Sequence, residues 1–422
     1  MRLSKLPAGE IVVVGAGAAG LAAADALVRA GRSVLVLEAR DRVGGRCFTR
    51  RMAGLDVPVE MGAEFIHGEA RATHRLLQAA GVKSVESGRE QRTLQGGRLR
   101  SADGFAEAQR AVRGASLDED VSFADFLRRR RVSEKTKTLA TLMVQGFDAA
   151  DPQLVSARSI IDEWGEGGEL GNSLPRPQGG YGPVFGWLAR SLVARGVQVR
   201  LQHVVRRIEW RRGSVLARGR FFGESFTVRA ERAVITLPLG VLQSRAVAFT
   251  PSARKERALR KLASGPVIRV ALRFAHPFWE SRAPGVAFFH NPKAPFPTFW
   301  TPLPMRAPLL AAWAGGPKAE RLTGRGETRL IRDALNSIGS VLRGAAPVTQ
   351  AYVQDWQQDP FARLGYSYVR VGGASGRQEL AAPVEATLFF AGEATEAQEP
   401  GTVAGALRSG ERAAREILEL RP

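Results

Sequence analysis

Three glycines and one glutamate stand at a spacing suited to holding phosphate and sugar. Gly15, Gly17 and Gly20 form a G-x-G-x-x-G run directly after the apolar tetrad Ile11 to Val14, and Glu38 closes a second apolar run from Ser33 to Leu37. Gly15 permits a tight turn, Gly17 lets backbone approach a pyrophosphate with no side chain between, and Gly20 lets a helix lie close to the strand. Unpaired N–H groups and the helix dipole then favour negative charge at the helix start. Glu38 has the separation of an acid that bonds a ribose hydroxyl, and its charge argues against a 2′-phosphate. The chemistry implied is dinucleotide binding.

The elements that must position these groups follow from the pattern. Continuous apolar runs predict parallel strands covered on both faces, and the Ala-rich stretch to about Ala30 predicts the helix between them. Further on, apolar strands at Val197 to Leu201 and Ala233 to Leu237 flank an alternating segment from Val204 to Val228, and Leu388 to Ala391 leads into a helical pattern from Val403 to Leu420. The continuation Arg40, Arg42, Gly44, Gly45 and Arg46 exceeds what an ordinary nicotinamide site needs and points to FAD.

The segment from Glu38 to Arg46, PVEMGAEFIHG at 58 to 68 and LFFAGEATEAQEPGTVAGALRSGERAA at 388 to 414 together resemble the flavin-containing amine oxidase family. That family includes monoamine and polyamine oxidases, histone-demethylase flavoproteins and L-amino-acid oxidases. Interior islands carry the likeness too: PRPQGGYGPV at 175 to 184, RAVITLPLGVL at 232 to 242 and DWQQDPFARLGYSYVRVGG at 355 to 373. The resemblance implies an α/β protein with a discontinuous Rossmann-like FAD-binding domain and an interleaved α+β substrate-binding domain. The expected boundaries are 1–70, 195–250 and 385–422 for the first and 71–194 and 251–384 for the second.

For the cofactor, the resemblance places Glu38 on the adenosine ribose, Arg46 near the phosphates and flavin, Gly62 and Ala63 against the ring, and Val205 on adenine. Glu393 and Val403 would meet the ribityl chain or ring edge, and Arg40, Gly45, Trp356 and Thr402 complete the expected cofactor shell. Around the substrate, Tyr366 and Tyr368 in YSY, with Trp356 upstream, resemble the aromatic segment that shapes the family's site. Strand alternation puts both tyrosines on one face, where aromatic rings guide an amine or pack as a half-buried strand. His67 falls where polyamine-oxidase-like members carry a His or acid near substrate; a structural histidine is the other reading.

Two positions depart from the family pattern. In IRVALRF at 268 to 274, Arg269 replaces the lysine that bonds flavin N5 through water, and a guanidinium is planar, bulkier and unable to act as a base. Oxygen reactivity is the property this puts in question. The second tyrosine of a two-tyrosine cage falls near Thr402, so a complete cage is not expected.

Composition sets outer bounds. The 422 residues, 44% hydrophobic, suit two interleaved domains, and no repeat or low-complexity tract interrupts them. No uninterrupted apolar stretch of about 18 residues exists to cross a bilayer, and a cytoplasmic location is expected. The single cysteine, Cys47, rules out an internal disulfide and a cysteine-rich metal cluster. It reads as a small buried residue, and with no cysteine in the segment 361–368, FAD is expected to bind noncovalently. The remaining histidines show no ligand spacing, so no metal site is expected.

The net charge of +20 admits a nucleic-acid or acidic partner at Arg128 to Arg131 or at Arg206, Arg207, Arg211 and Arg212, but a solvated arginine-rich surface is the favoured reading. Glu163, Glu166 and Glu169 form an acidic island in this basic chain, read as a solvated Gly-rich loop rather than a pocket rim. Three functions remain: an FAD-dependent amine oxidase using O2, an L-amino-acid oxidase with an arginine such as Arg269 clamping the carboxylate, and a weakly active flavin-containing binding protein. The oligomeric state is left open.

Overall fold

Five short parallel strands come from distant parts of the chain to make the sheet that carries the glycine turn. The computed structural model describes residues 4–5, 10–165, 173–342 and 344–420. The sheet order is Gln198–Arg200, Val34–Leu37, Ile11–Val14, Arg232–Ile235 and Leu388–Phe390. The sequence places each strand within a few residues of these limits.

The two faces of this sheet are separately covered, as strand alternation requires. Ile11, Val13, Val36 and Val234 pack under the helices Ala18–Arg29, Tyr181–Ala194 and Val403–Leu418. Val12, Val14, Leu35 and Leu37 face the antiparallel strands Val204–Arg211, Ser214–Phe221 and Glu224–Ala230. The first and last helices touch closely enough that a Cβ on Gly410 would lie 2.1 Å from the Ala19 carbonyl. An alanine-rich helix is what permits such an approach while still burying apolar surface.

The second half of the fold is built on a seven-stranded mixed sheet running Val348–Asp355, Val267–Phe274, Leu309–Gly315, Thr298–Trp300, Phe288–His290, Gln91–Gln95 and Arg98–Ser101. Ile268, Val270, Leu272 and Phe274 bury against the helix Glu327–Val341. The alternate face turns Arg269 toward Trp300 and the large cavity between the halves. The opposite wall is helical: Glu134–Gly146 and Ala157–Trp164 start on the caps Ser133 and Ser156, whose hydroxyls accept from Thr136 N and Ser159 N. No described helix is long and apolar enough to cross a membrane.

Candidate active site

The glycine turn shows three different constraints. Gly15 has φ +111°, and a Cβ there would meet Thr236 Oγ1 at 2.4 Å; on Gly20 it would meet the Gly15 carbonyl at 1.9 Å. Those two glycines serve the turn and the helix-to-strand approach. Around Gly17 a Cβ would meet nothing nearer than the Gly45 Cα at 4.0 Å, so packing within the protein does not require glycine there. That open space lies at the start of the helix Ala18–Arg29, where backbone N–H groups suit phosphate.

Glu38 is buried at the end of its strand, and its Oε2 and Oε1 accept from Ala16 N at 2.7 Å and Arg40 N at 2.9 Å. Burial pushes its carboxyl up, opposed by those two hydrogen bonds and by Arg40 and Arg42. Lone pairs remain on both oxygens for ribose hydroxyls. Arg40 is held bidentately by Asp359 at 2.7 and 2.8 Å, while Arg46 Nη1 donates to the Gly365 carbonyl and to Glu393 at 2.9 Å. A Cβ on Gly62 would lie 1.8 Å from the Arg46 carbonyl, so that loop tolerates only glycine. Gly45, Gly62, Ala63, Val205, Trp356, Glu393, Thr402 and Val403 all border the same cavity of about 1820 Å³. Single ligand pockets run to roughly 300–1,000 Å³, so this volume has room for a dinucleotide and a second molecule. The residues present fit FAD.

Beyond the cradle the cavity opens into a chamber bordered by Arg269, Trp300, Trp313, Phe65, His67, Phe147, Tyr366 and Tyr368. Tyr366 donates its hydroxyl to the Phe147 carbonyl, and the His67 ring stands edge-on to Phe147 with centroids 5.0 Å apart. No described residue hydrogen-bonds that imidazole, and burial lowers its pKa to about 4; His67 is neutral near pH 7. His290 is likewise lowered to about 4 by burial. Its Nε2 lies 3.2 Å from Gln91 Oε1, which also accepts from Gly104 N, so Nε2 is the protonated nitrogen and Nδ1 accepts from Thr298.

Arg269 is not a free cation. Its Nη2 bonds Glu64 Oε2 at 2.5 Å, Nη1 lies 3.4 Å from the Gly62 carbonyl, and the guanidinium stacks over Trp300. Glu64 also holds Arg176 through Oε1 at 2.5 Å and accepts from Trp300 Nε1 at 3.0 Å. Burial raises the Glu64 carboxyl, but the two guanidiniums overcome it and hold the group below its ordinary range. The triad carries one net positive charge in a buried wall. Neither Glu64 nor Arg176 was picked out by sequence, although both lie inside recognisable motifs; the signal available was a charged residue in an otherwise apolar context.

Other expectations meet specific contacts. Thr402 caps the helix Val403–Leu418, its Oγ1 accepting from Gly405 N at 2.9 Å and donating to the Glu399 carbonyl at 2.8 Å, so its hydroxyl is spent on the helix start. Cys47 is buried in the cavity wall, with burial pushing its thiol up. Arg128 pairs with Asp125, and Arg130 donates to the carbonyls of Ala111 and Arg113, while Arg206, Arg207, Arg211 and Arg212 are exposed. Glu163 corrects the solvated-loop reading: it sits in the last turn of Ala157–Trp164 and borders the cavity. Glu166 and Glu169 lie outside the described residues.

Fold and site together define an α/β dinucleotide-binding protein whose cofactor cradle opens into an aromatic chamber. The sequence profile of the flavin containing amine oxidoreductase family matches residues 18–104 and 92–418, and the chain belongs to that family; its cofactor is FAD. Lysine-specific histone demethylase 2 of Homo sapiens is 26% identical over 439 residues, covering 97% of this chain and 53% of that protein. Polyamine oxidase 2 of Arabidopsis thaliana is 28% identical over 454 residues, covering 95% of this chain and 86% of that protein. This chain thus spans about half the length of the demethylase it matches. Among solved structures, cyclohexylamine oxidase from Brevibacterium oxydans has TM-score 0.82 at 23% identity, covering 98% of this chain and 99% of that one. Putrescine oxidase bound to putrescine has TM-score 0.81 at 22% identity, covering 99% and 100%. Those likenesses establish the fold.

Proposed function

We propose that the chain is an FAD-dependent amine oxidase acting on a small primary or secondary amine. The observation that carries this reading is the continuity of one cavity from the dinucleotide cradle at Gly15 and Glu38 to the chamber of Tyr366, Trp313 and His67. Gly15, Gly17, Glu38, Arg46 and Gly62 would hold the flavin, which when bound would supply the redox chemistry for hydride removal from the carbon beside the amine nitrogen, with hydrolysis of the imine and return of the electrons to O2 as H2O2. The family membership and the polyamine, putrescine and cyclohexylamine oxidases among the similar proteins support an amine as the donor.

The protein's task is to present that amine neutral and oriented. The triad of two guanidiniums to one carboxylate, its charge offset in part by buried Glu60, disfavours an ammonium beside it, and His67 offers ring nitrogens without adding a charge. Tyr366, Tyr368 and Trp313 give the substrate's carbon chain aromatic surface. Arg269, at the position of the family lysine, is a positioning residue fixed by Glu64. Its commitment to Glu64 and Gly62 also argues against its clamping an amino-acid carboxylate. A buried Cys47 held in the thiol form supports noncovalent FAD, and the three-segment sheet supports a cofactor domain drawn from 1–70, 195–250 and 385–422.

Anaerobic addition of monoamines, diamines, polyamines and L-amino acids to the purified yellow protein tests this. Bleaching of the visible flavin band by an amine, with colour restored by air, is the expected result. Bleaching by L-amino acids alone, or by none of the panel, would overturn the reading.

A further inference from the structure

One outer surface of the fold is left without work by that reaction. The antiparallel strands Val204–Arg211, Ser214–Phe221 and Glu224–Ala230 turn Val205, Ile208, Val215, Ala217, Phe226 and Val228 inward against the cofactor sheet. Alternation sends Arg207, Arg218 and Arg220 to the outer face. Arg207 stands directly opposite Arg218, a like-charge pairing that costs stability in a sheet. A register irregularity between Val205 and Arg207 inserts Arg206 beside them, also exposed. The four arginines line a shallow groove of about 270 Å³, and Glu209, 3.2 Å from Arg218, is the only carboxylate among the described residues that line it.

The hairpin turn next to Arg220 supplies a second, independent observation. Phe221 pairs with Glu224, so the loop is the two residues Phe222 and Gly223, with φ +46° and +86°. Positive φ at both centres is the pattern of a primed hairpin turn, in which Asn-Gly is the favoured pair. A phenylalanine there is strained, and its ring gains no burial in return: Phe222 is 75% exposed, the most exposed large apolar side chain among the described residues. Phe221 stacks on His203 with centroids 4.4 Å apart and meets the Phe222 ring edge-on at 4.7 Å, propping it outward. Arg220 Nη1 donates to the Gly223 carbonyl at 2.8 Å, which fixes a guanidinium at the base of the turn. Packing within the chain gives no reason for the Phe222 ring; contact with an apolar phase outside it does.

We propose that this hairpin docks the protein on an anionic lipid bilayer, with Phe222 entering among the headgroups and Arg206, Arg207, Arg218 and Arg220 on lipid phosphates. Guanidiniums bind phosphate bidentately, and an apolar ring at a tip flanked by cations suits the boundary between headgroups and acyl chains. The net charge of +20 draws the chain toward such a surface before contact. A single-stranded nucleic acid needs aromatic faces spaced along a basic groove for successive bases; here the groove is otherwise lined by Glu209, Gly219 and Ser225, and Phe221 is already stacked. Glu224, which follows the turn, lies opposite Phe221 on the inner side of the sheet, away from the arginines. Nothing in this docking depends on the amine-oxidase reaction.

The test is co-sedimentation of the FAD-loaded protein with vesicles of phosphatidylcholine alone and of phosphatidylcholine mixed with phosphatidylglycerol. Binding to the mixed vesicles only, weakened by added salt, is expected. Phe222→Asn supplies the residue that the turn prefers, so it keeps the fold and the flavin while lowering the vesicle partition coefficient at least about fivefold. Arg207→Ala with Arg218→Ala lowers it about tenfold or more. Arg129→Ala with Arg131→Ala removes the same charge from another exposed stretch and has a smaller effect. Equal losses in the two double variants, unchanged partitioning in Phe222→Asn, or no binding to the mixed vesicles would each overturn the proposal. So would binding to a single-stranded oligonucleotide that is at least as tight per phosphate and indifferent to Phe222→Asn, which would assign the arginines to nucleic acid.

Discussion

Two buried acid sites in the same cavity are built on opposite terms. At Glu64 one carboxylate serves Arg176 and Arg269, leaving the triad one guanidinium in excess, offset in part by buried Glu60. At Asp148 and Glu163 two carboxyls interact with each other, and among the described residues neither has an ion pair, Arg377 acting on Glu163 only through space. The first site is complete within the protein and fixes geometry; at the second, burial and the neighbouring carboxyl favour a retained proton. The difference is one of protonation: Glu64 is held ionised by its guanidiniums, whereas the Asp148 carboxyl is pushed toward its neutral form.

The sharpest way to break this comparison is to remove Glu64. Glu64→Gln leaves two buried guanidiniums facing each other, and stranding a buried charge of this kind costs about 3–5 kcal/mol. Chemical denaturation at neutral pH should show a loss of that size or a chain that does not fold. A loss below about 1 kcal/mol would mean the triad is solvated in solution and the wall is not charged as drawn.

Glu60 is the intermediate case, a buried acid with hydrogen-bond donors but, among the described residues, no ion-pair partner. It accepts from Thr49 at 2.8 Å and Tyr181 N at 2.6 Å, its Oε2 is unpaired, and burial raises its pKa to about 7. Because the folded pKa lies above the unfolded one, the folded state holds the proton more tightly. The stabilisation is therefore full below about pH 4.5 and is lost as pH rises through about 7, by on the order of 3 kcal/mol. Thermal melts across that window should flatten in Glu60→Gln; an unaltered slope would show that Glu60 titrates normally.

Arg269→Lys is the gentler probe of the first site. Lysine keeps the charge but gives up the planar contact over Trp300 and one of the fixed donors, a loss of roughly 1–2 kcal/mol in stability. If the guanidinium restrains the return of electrons to oxygen, flavin reoxidation should speed up severalfold in stopped-flow; an unchanged rate would leave Arg269 a purely structural counterion of Glu64.

The dinucleotide cradle was legible because its information is local. Gly15, Gly17, Gly20 and Glu38 act within one strand, turn, helix and strand, and each is constrained by backbone geometry that a residue type announces. The tyrosines of YSY were equally readable from strand alternation. The charge arrangement was not, because Glu64 meets Arg176 and Arg269 across 112 and 205 residues, and no periodicity encodes such a meeting. Glu163 was misread for a related reason: glycines follow it, but Ile160 and Trp164 anchor its helix in the core and carry it to the cavity wall. Asp148 carried one faint signal, an acid just past a helix end among apolar neighbours.

The smallest expected effect bears on the second site. Burial first and Glu163 second push the Asp148 carboxyl well above its ordinary range, so the folded state keeps a proton that the unfolded chain releases. Stability from this group is present below the ordinary aspartate range and drains away as pH climbs. Asp148→Asn removes both the titration and the like-charge contact while keeping an amide of similar size. Near pH 4 the variant should match wild type within about 1 kcal/mol, and by about pH 8 it should be the more stable of the two. Glu64→Gln has the opposite sign, because there the acid is what neutralises its neighbours. If Asp148→Asn instead weakened the fold at every pH as Glu64→Gln does, the Asp148 carboxylate would be held by a donor within the protein, such as the Trp164 indole.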